Sequence, residues 1–113
     1  MKVLNATQTE LKETDASERT MTYLDLAKVC LNEPPERGFT PDEMRARMRV
    51  LNAIEAAETQ DSGCVILEDS DAAKVQACAS AMRWPRMHRQ IVEFLDAVAS
   101  MSAPDVKVAA QTE

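Results

Sequence analysis

Apolar side chains recur at intervals of three and four residues in four segments of the chain, a spacing typical of helices that bury one face. These segments predict helices over residues 23–31, 41–58, 71–82 and 86–101. Only two glycines are present, Gly38 and Gly63, which argues against an all-β fold, because its tight turns usually need more of them. The sequence therefore predicts a mainly α fold, a single domain of four helices.

The first two predicted helices also carry start signals. Thr22 is a candidate cap for the first helix, with Asp25 at the third helical position. In the motif Thr40-Pro41-Asp42-Glu43, the threonine is placed to cap the second helix and the proline to occupy its first position. The glutamate is placed to complete a capping box.

The second predicted helix should have a buried face and an outer face. Apolar residues about one turn apart define the expected buried stripe: Met44, Met48, Leu51 and Ile54. On this assignment Arg45 and Arg49 lie on the outer face, where they are available to a partner.

The segment Cys64-Val65-Ile66-Leu67 is the one good strand candidate. A lone strand leaves backbone donors and acceptors without partners, and three arrangements remain open. The segment pairs with residues 1–6, or with its own copy across a two-fold axis, or it is an extended loop. The second arrangement makes Cys64, Val65, Ile66 and Leu67 self-association residues.

The predicted helices occupy residues 21–101, flanked by stretches without sustained periodicity. We therefore expect a polar tail over residues 1–20, a helical domain over 21–101 and a second polar tail over 102–113. A chain of 113 residues has room for one domain.

Charge and cysteine usage indicate which partners and which cellular compartment to expect. The net charge of −6 disfavours binding to nucleic acids and to anionic membranes. Three cysteines without a paired short spacing do not predict a disulfide framework, which favours a reducing cytoplasm. We find no signal-peptide pattern after Met1 and no apolar stretch near the roughly 20 residues that span a bilayer. We therefore expect a soluble cytoplasmic protein.

No group of residues in the sequence suggests catalysis or metal binding. His88 is the only histidine, and it has no motif for a nucleophile beside it. Cys30 and Cys78 lie on predicted apolar stripes, where cysteine behaves as a small hydrophobic residue. The acidic run Glu68-Asp69-Ser70-Asp71 lacks the layout of a calcium loop and suits a helix start, with Ser70 or Asp69 as the cap. We expect no enzyme activity, no metal and no cofactor.

The most distinctive stretch is the heptapeptide Arg83-Trp84-Pro85-Arg86-Met87-His88-Arg89, between the third and fourth predicted helices. Tryptophan and arginine often carry the binding energy of protein interfaces, and they also stack on nucleic-acid bases. A core tryptophan among solvated arginines explains the same residues. The partner-binding hypothesis combines this stretch with the second helix: Arg83, Trp84, Arg86, His88, Arg89, Arg45 and Arg49.

Four short segments carry a resemblance to a known group of proteins: Gly38–Met44, Leu67–Ala73, Met82–Pro85 and Ile91–Val98. Over roughly residues 22–101 the sequence resembles small uncharacterised helical proteins encoded by tailed phages and prophages. The resemblance implies a bacterial virus as the source, and such proteins are commonly regulatory, host-directed or virion-assembly proteins. It implies no catalytic residues.

Together these observations predict a non-catalytic protein-binding module that self-associates into a dimer or a larger homo-oligomer. In a phage setting the protein would regulate a host or phage protein in the bacterial cytoplasm. The alternative is a structural or assembly component of a virion, whose tails are ordered by neighbouring subunits. A small nucleic-acid-binding protein and a small enzyme are the least favoured alternatives.

Overall fold

The computed structural model describes residues 1–12, 19–85 and 87–103. Within them three strands are followed by two helices, a fourth strand and two more helices: β1 (Lys2–Asn5), β2 (Gln8–Lys12), β3 (Thr20–Thr22), α1 (Tyr23–Asn32), α2 (Pro41–Thr59), β4 (Cys64–Leu67), α3 (Asp69–Ala81) and α4 (Arg89–Ala99).

The predicted mainly α, four-helix fold class is wrong. The described residues contain two small antiparallel sheets beside the helices, β1 with β4 and β2 with β3. Strands account for 18% of the described residues and helices for 55%, so the fold is α+β. The helical stripes were read correctly as helices, but the strands before α1 are too short and too polar to stand out by periodicity alone.

The strand candidate at residues 64–67 is β4, and it pairs with β1, which was one of the three open arrangements. The register is antiparallel, with Lys2 opposite Leu67 and Leu4 opposite Val65. Leu4, Val65 and Leu67 are buried on the face of the sheet that meets the core. The backbone N–H of Val3 donates to Ser102 O (2.9 Å), so the stretch after α4 returns to the other edge of β1.

The prediction that residues 1–20 form a polar tail is wrong for the part that the structure describes. Two whole strands and the first residue of β3 lie there, and Leu4 and Leu11 are core residues, 1% and 4% exposed. The side chain of Thr9 is also buried, and its hydroxyl donates to Met21 O (2.6 Å) between β2 and β3. The rest of that predicted tail (13–18) and most of the predicted second tail (104–113) lie outside the described residues.

The helix starts follow local side-chain chemistry. Thr22 caps α1 as predicted and forms a capping box with Asp25. Burial by itself would raise the pKa of Asp25, but the hydrogen bond from the Thr22 backbone and the charges of Arg19 and Lys28 outweigh burial and lower it. Thr40 caps α2 by accepting the N–H of Glu43 (3.1 Å), and Pro41 is the first helical residue, both as predicted.

The last two helices begin at other residues than expected. Neither Ser70 nor Asp69 caps α3: its cap position is Glu68, without a side-chain hydrogen bond, and the acids lie in its first turn. There they face the positive end of the helix dipole. The predicted fourth helix starts three residues too early, because the Nδ1 atom of His88 caps α4 by accepting the N–H of Gln90 (3.0 Å).

The core is centred on Phe94, the largest fully buried side chain. The ring of Tyr23 contacts it edge-on at 5.5 Å and the ring of Trp84 at 6.2 Å, measured between centroids. Such geometries favour aromatic pairs because the positive edge of one ring meets the negative face of the other. Aliphatic side chains of every helix and of β1, β2 and β4 complete one continuous cluster.

Candidate functional site

The described residues of the heptapeptide predicted to bind a partner, 83–85 and 87–89, lie at the corner between α3 and α4. Arg83 and Arg89 are exposed there, and His88 is half-buried at its capping position. Arg86 lies outside the described residues. The corner therefore presents arginine side chains, as expected from the sequence, while its histidine has a local structural role. Its binding role stays a prediction.

Trp84 lies at the rim of the core rather than on a free surface. Its ring is partly buried against Phe94, and its Nε1 atom is buried without a hydrogen-bond acceptor among the described residues. This agrees with the interpretation of Trp84 as a core tryptophan that anchors the corner. Removing the ring would disturb packing, so Trp84→Ala is a poor probe of binding.

The expected buried stripe of α2 is wrong at its first two positions. Met44 and Met48 are 47% and 52% exposed, whereas Leu51 and Ile54 are buried as predicted. Arg47 takes the inward position instead. Two methionines, one turn apart, therefore lie in solvent beside Arg45 and Arg49.

Arg47 explains this rotation of α2. Its Nη1 atom donates to Leu31 O (3.0 Å) and Glu33 O (2.8 Å), and its Nε atom donates to a carboxylate oxygen of Glu43 (2.6 Å). The guanidinium also stacks over the Phe39 ring, 5.0 Å from its centroid. Arg47 thus ties the end of α1 and the following loop to α2.

Glu43 joins this cluster to α3. Its second carboxylate oxygen accepts a hydrogen bond from Nζ of Lys74 (2.8 Å), and that bond, together with Arg47, lowers the pKa of Glu43. Glu43 therefore does not complete the predicted capping box with Thr40. The sequence did carry a signal for the Glu43–Arg47 ion pair. The two residues are four apart, with the acid first, which is the order that stabilises helices.

The two outer arginines of α2 are held by different carboxylates. Nε of Arg49 donates to Asp71 in the first turn of α3 (2.8 Å), and Nη1 of Arg45 donates to Asp42 (3.3 Å). Arg49 of α2 thus meets Asp71, the last residue of the acidic run Glu68-Asp69-Ser70-Asp71, within the chain. We call Met44, Arg45, Met48 and Arg49 the α2 outer face.

The two buried cysteine thiols lack the environment of a nucleophile. Cys30 and Cys78 are buried and line one cleft of about 590 Å³. Burial raises the pKa of Cys30 to about 12 and also raises that of Cys78, so both remain thiols near neutral pH. Within residues 1–12, 19–85 and 87–103, no group of three or more His, Cys, Asp and Glu side chains is placed to hold a metal ion.

The predicted self-association residues divide between the two faces of β4. Val65 and Leu67 face the core, whereas Ile66 is 51% exposed and Cys64 is partly exposed. Since the N–H of Val3 points away from β4 to Ser102, the peptide groups of its partner Ile66 point away from β1. Because hydrogen-bonded and non-hydrogen-bonded pairs alternate along the two strands, the peptide groups of Cys64 also point away from β1.

No family model, curated protein or solved structure matches the chain. Across the described part of the chain, none of the helices has the length and apolar character needed to cross a membrane.

Proposed function

We propose that the protein is a non-catalytic protein-binding module whose partner docks on the α2 outer face. The observation that carries this proposal is the exposure of Met44 and Met48, one turn apart and beside Arg45 and Arg49. Methionine and arginine are both enriched at protein interfaces relative to the rest of the surface. Methionine also adapts its shape to an apolar partner because its side chain is unbranched and flexible.

A rigid base supports this face. Arg47 and Glu43 anchor the opposite side of the same helical turns through hydrogen bonds to α1, its loop and α3. A partner that contacts Met44 and Met48 would therefore meet a preformed surface, and less conformational entropy would be lost on binding.

The test is affinity capture from expressing cells, followed by mass spectrometry, with the wild-type chain and the double variant Met44→Glu/Met48→Glu. We expect the double variant to lose the captured protein, because two carboxylates replace the apolar contact. Val92→Glu is the matched control, since Val92 is equally exposed on α4. Far-UV circular dichroism of each variant checks folding. Equal capture by folded wild-type and double-variant chains would refute the proposal.

The same capture separates the settings suggested by the resemblance to phage proteins. A host or phage regulatory protein as partner would support a regulator or adaptor in the bacterial cytoplasm. Capture of capsid or tail proteins would favour the alternative, a virion component. Retention of nucleic acid that weakens steeply with salt would support the further alternative, which the net charge of −6 disfavours.

Self-association through β4 is a second candidate, supported by the outward peptide groups of Cys64 and Ile66. The segment has no proline, lysine or bulge of the kind that protects sheet edges. Antiparallel pairing of two β4 strands about a two-fold axis would satisfy these groups in both copies. Sedimentation velocity over a concentration series tests it, with Ile66→Lys as the variant expected to stay monomeric. A wild-type chain that is monomeric at all concentrations would exclude it.

A further inference from the structure

Arg49 is held in a way that leaves its terminal nitrogens available. Its Nε atom is bonded to Asp71, whose side chain is only 8% exposed, while the Arg49 side chain is 60% exposed. Nη1 and Nη2 have no further partner among the described residues. Asp71 thus positions the guanidinium, and its planar end remains free to bind a carboxylate through two parallel hydrogen bonds.

Arg45 adds a second cation one turn earlier. Among the described residues, the Arg45 side chain bonds only to Asp42, and both side chains are largely exposed. Exposed ion pairs of this kind are weak in water, so a carboxylate from a partner could replace Asp42 at little cost. Arg45 and Arg49 are about 6 Å apart along the helix axis.

The methionines run parallel to these arginines. Met44 and Met48 precede Arg45 and Arg49 by one residue each, so an apolar row and a basic row lie side by side along α2. The two rows require different chemistry from a partner: apolar side chains against the methionines and anionic groups against the arginines.

We infer that the partner of the α2 outer face is an acidic, amphipathic segment of another protein, and this inference rests on the proposed function. Its apolar side chains would cover Met44 and Met48, and its Asp or Glu side chains would bind Arg45 and Arg49. Nucleic acid fits less well because a phosphate backbone offers no apolar row to the methionines.

The test uses two synthetic helical peptides of about five turns, each with leucines on one face. One carries glutamates beside the leucines and the other carries glutamines in the same places. We expect the glutamate peptide to bind about tenfold more tightly in low salt, and we expect this preference to shrink as salt screens the charges. Fluorescence anisotropy of labelled peptides measures both affinities.

Three variants assign the preference to the arginines. Arg45→Gln/Arg49→Gln should abolish it, and Arg49→Lys should reduce it about threefold, because lysine keeps the charge but loses the planar fork. Arg83→Gln/Arg89→Gln removes the same charge from the α3–α4 corner and should leave the preference intact. Circular dichroism confirms that each variant is folded.

Each outcome decides between the two proposals. Equal binding of both peptides, binding of neither peptide, or a preference lost only in the corner variant would overturn the acidic-partner inference. The proposed function would still stand if Met44→Glu/Met48→Glu abolished capture of a cellular partner. It would fall if that capture were unchanged, whichever peptide binds.

Discussion

Replacing Leu4 by alanine tests whether β1 is an integral part of the fold. Leu4 is 1% exposed and lies on the core face of the sheet opposite Val65. Loss of three carbons at about 0.8 kcal/mol each amounts to about 2.4 kcal/mol. Leu→Ala changes at buried sites, including the cavity left behind, cost about 2–5 kcal/mol. We therefore expect the free energy of unfolding to fall by about 3 kcal/mol.

Urea denaturation followed by far-UV circular dichroism measures this change, and a thermal melt should show Tm lower by about 12 °C. Asn5→Ala is the control, because Asn5 is the next residue of β1 and is exposed. It should change stability by less than about 0.5 kcal/mol. A Leu4→Ala change as small as that of the control would mean that β1 does not pack on the core, and the α+β fold would be refuted.

Four further predictions follow from single contacts. Phe94→Ala should cost about 4 kcal/mol of unfolding free energy, because a fully buried ring and two edge-on contacts are lost; a cost below about 1 kcal/mol would contradict the core. In urea denaturation, Arg47→Ala should lower the free energy of unfolding by about 3 kcal/mol and Arg45→Ala by less than about 0.5 kcal/mol. Of the two, only Arg47 is buried and bonded to two carbonyl groups. Equal losses would contradict the structural role of Arg47. The pKa of Asp25 is below its ordinary value of 3.8, so the ionised carboxylate stabilises the fold above that pH, and this stabilisation is lost as the pH falls through the folded pKa. Asp25→Asn should therefore flatten the plot of unfolding free energy against pH in this range. An unchanged acid slope would contradict this. A thiol reagent should modify Cys64 well before the two buried cysteines, and equal rates by mass spectrometry would contradict their burial.

Local chemistry made part of this fold predictable from the sequence. The capping residues Thr22 and Thr40 specified the starts of α1 and α2, because a threonine oxygen that accepts a backbone N–H stabilises a helix start in any tertiary context. The strand at Cys64–Leu67 was also visible, since it is short, partly β-branched and preceded by Gly63.

The parts that were missed, such as β2, or left open, such as β1, depend on contacts between segments that are separated in the sequence. β1 and β2 are stabilised by pairing with β4 and β3 and by the burial of single leucines, none of which appears as a periodic pattern. A strand paired on one or both edges can hold polar side chains on its outer face, as Gln8, Glu10 and Lys12 do in β2.

The two methionines of the candidate surface were missed for a related reason, whereas Arg45 and Arg49 were expected there. A buried arginine is expensive unless its donors are satisfied, so the sequence favoured methionines on the inner face of α2. The carbonyl groups of Leu31 and Glu33 and the carboxylate of Glu43 satisfy Arg47, and the helix is rotated accordingly. Only the tertiary structure brings these groups together, and that rotation exposes Met44 and Met48.

The central claim, that a partner docks on the α2 outer face, is tested most directly with ¹³C-methyl methionine labels. The chain has seven methionines. On addition of the captured partner, or of the glutamate peptide, we predict that the methyl resonances of Met44 and Met48 shift or broaden. The exposed Met87 and the buried Met101 should remain in place. Shifts confined to Met87, or unchanged Met44 and Met48 signals at saturation, would contradict the claim.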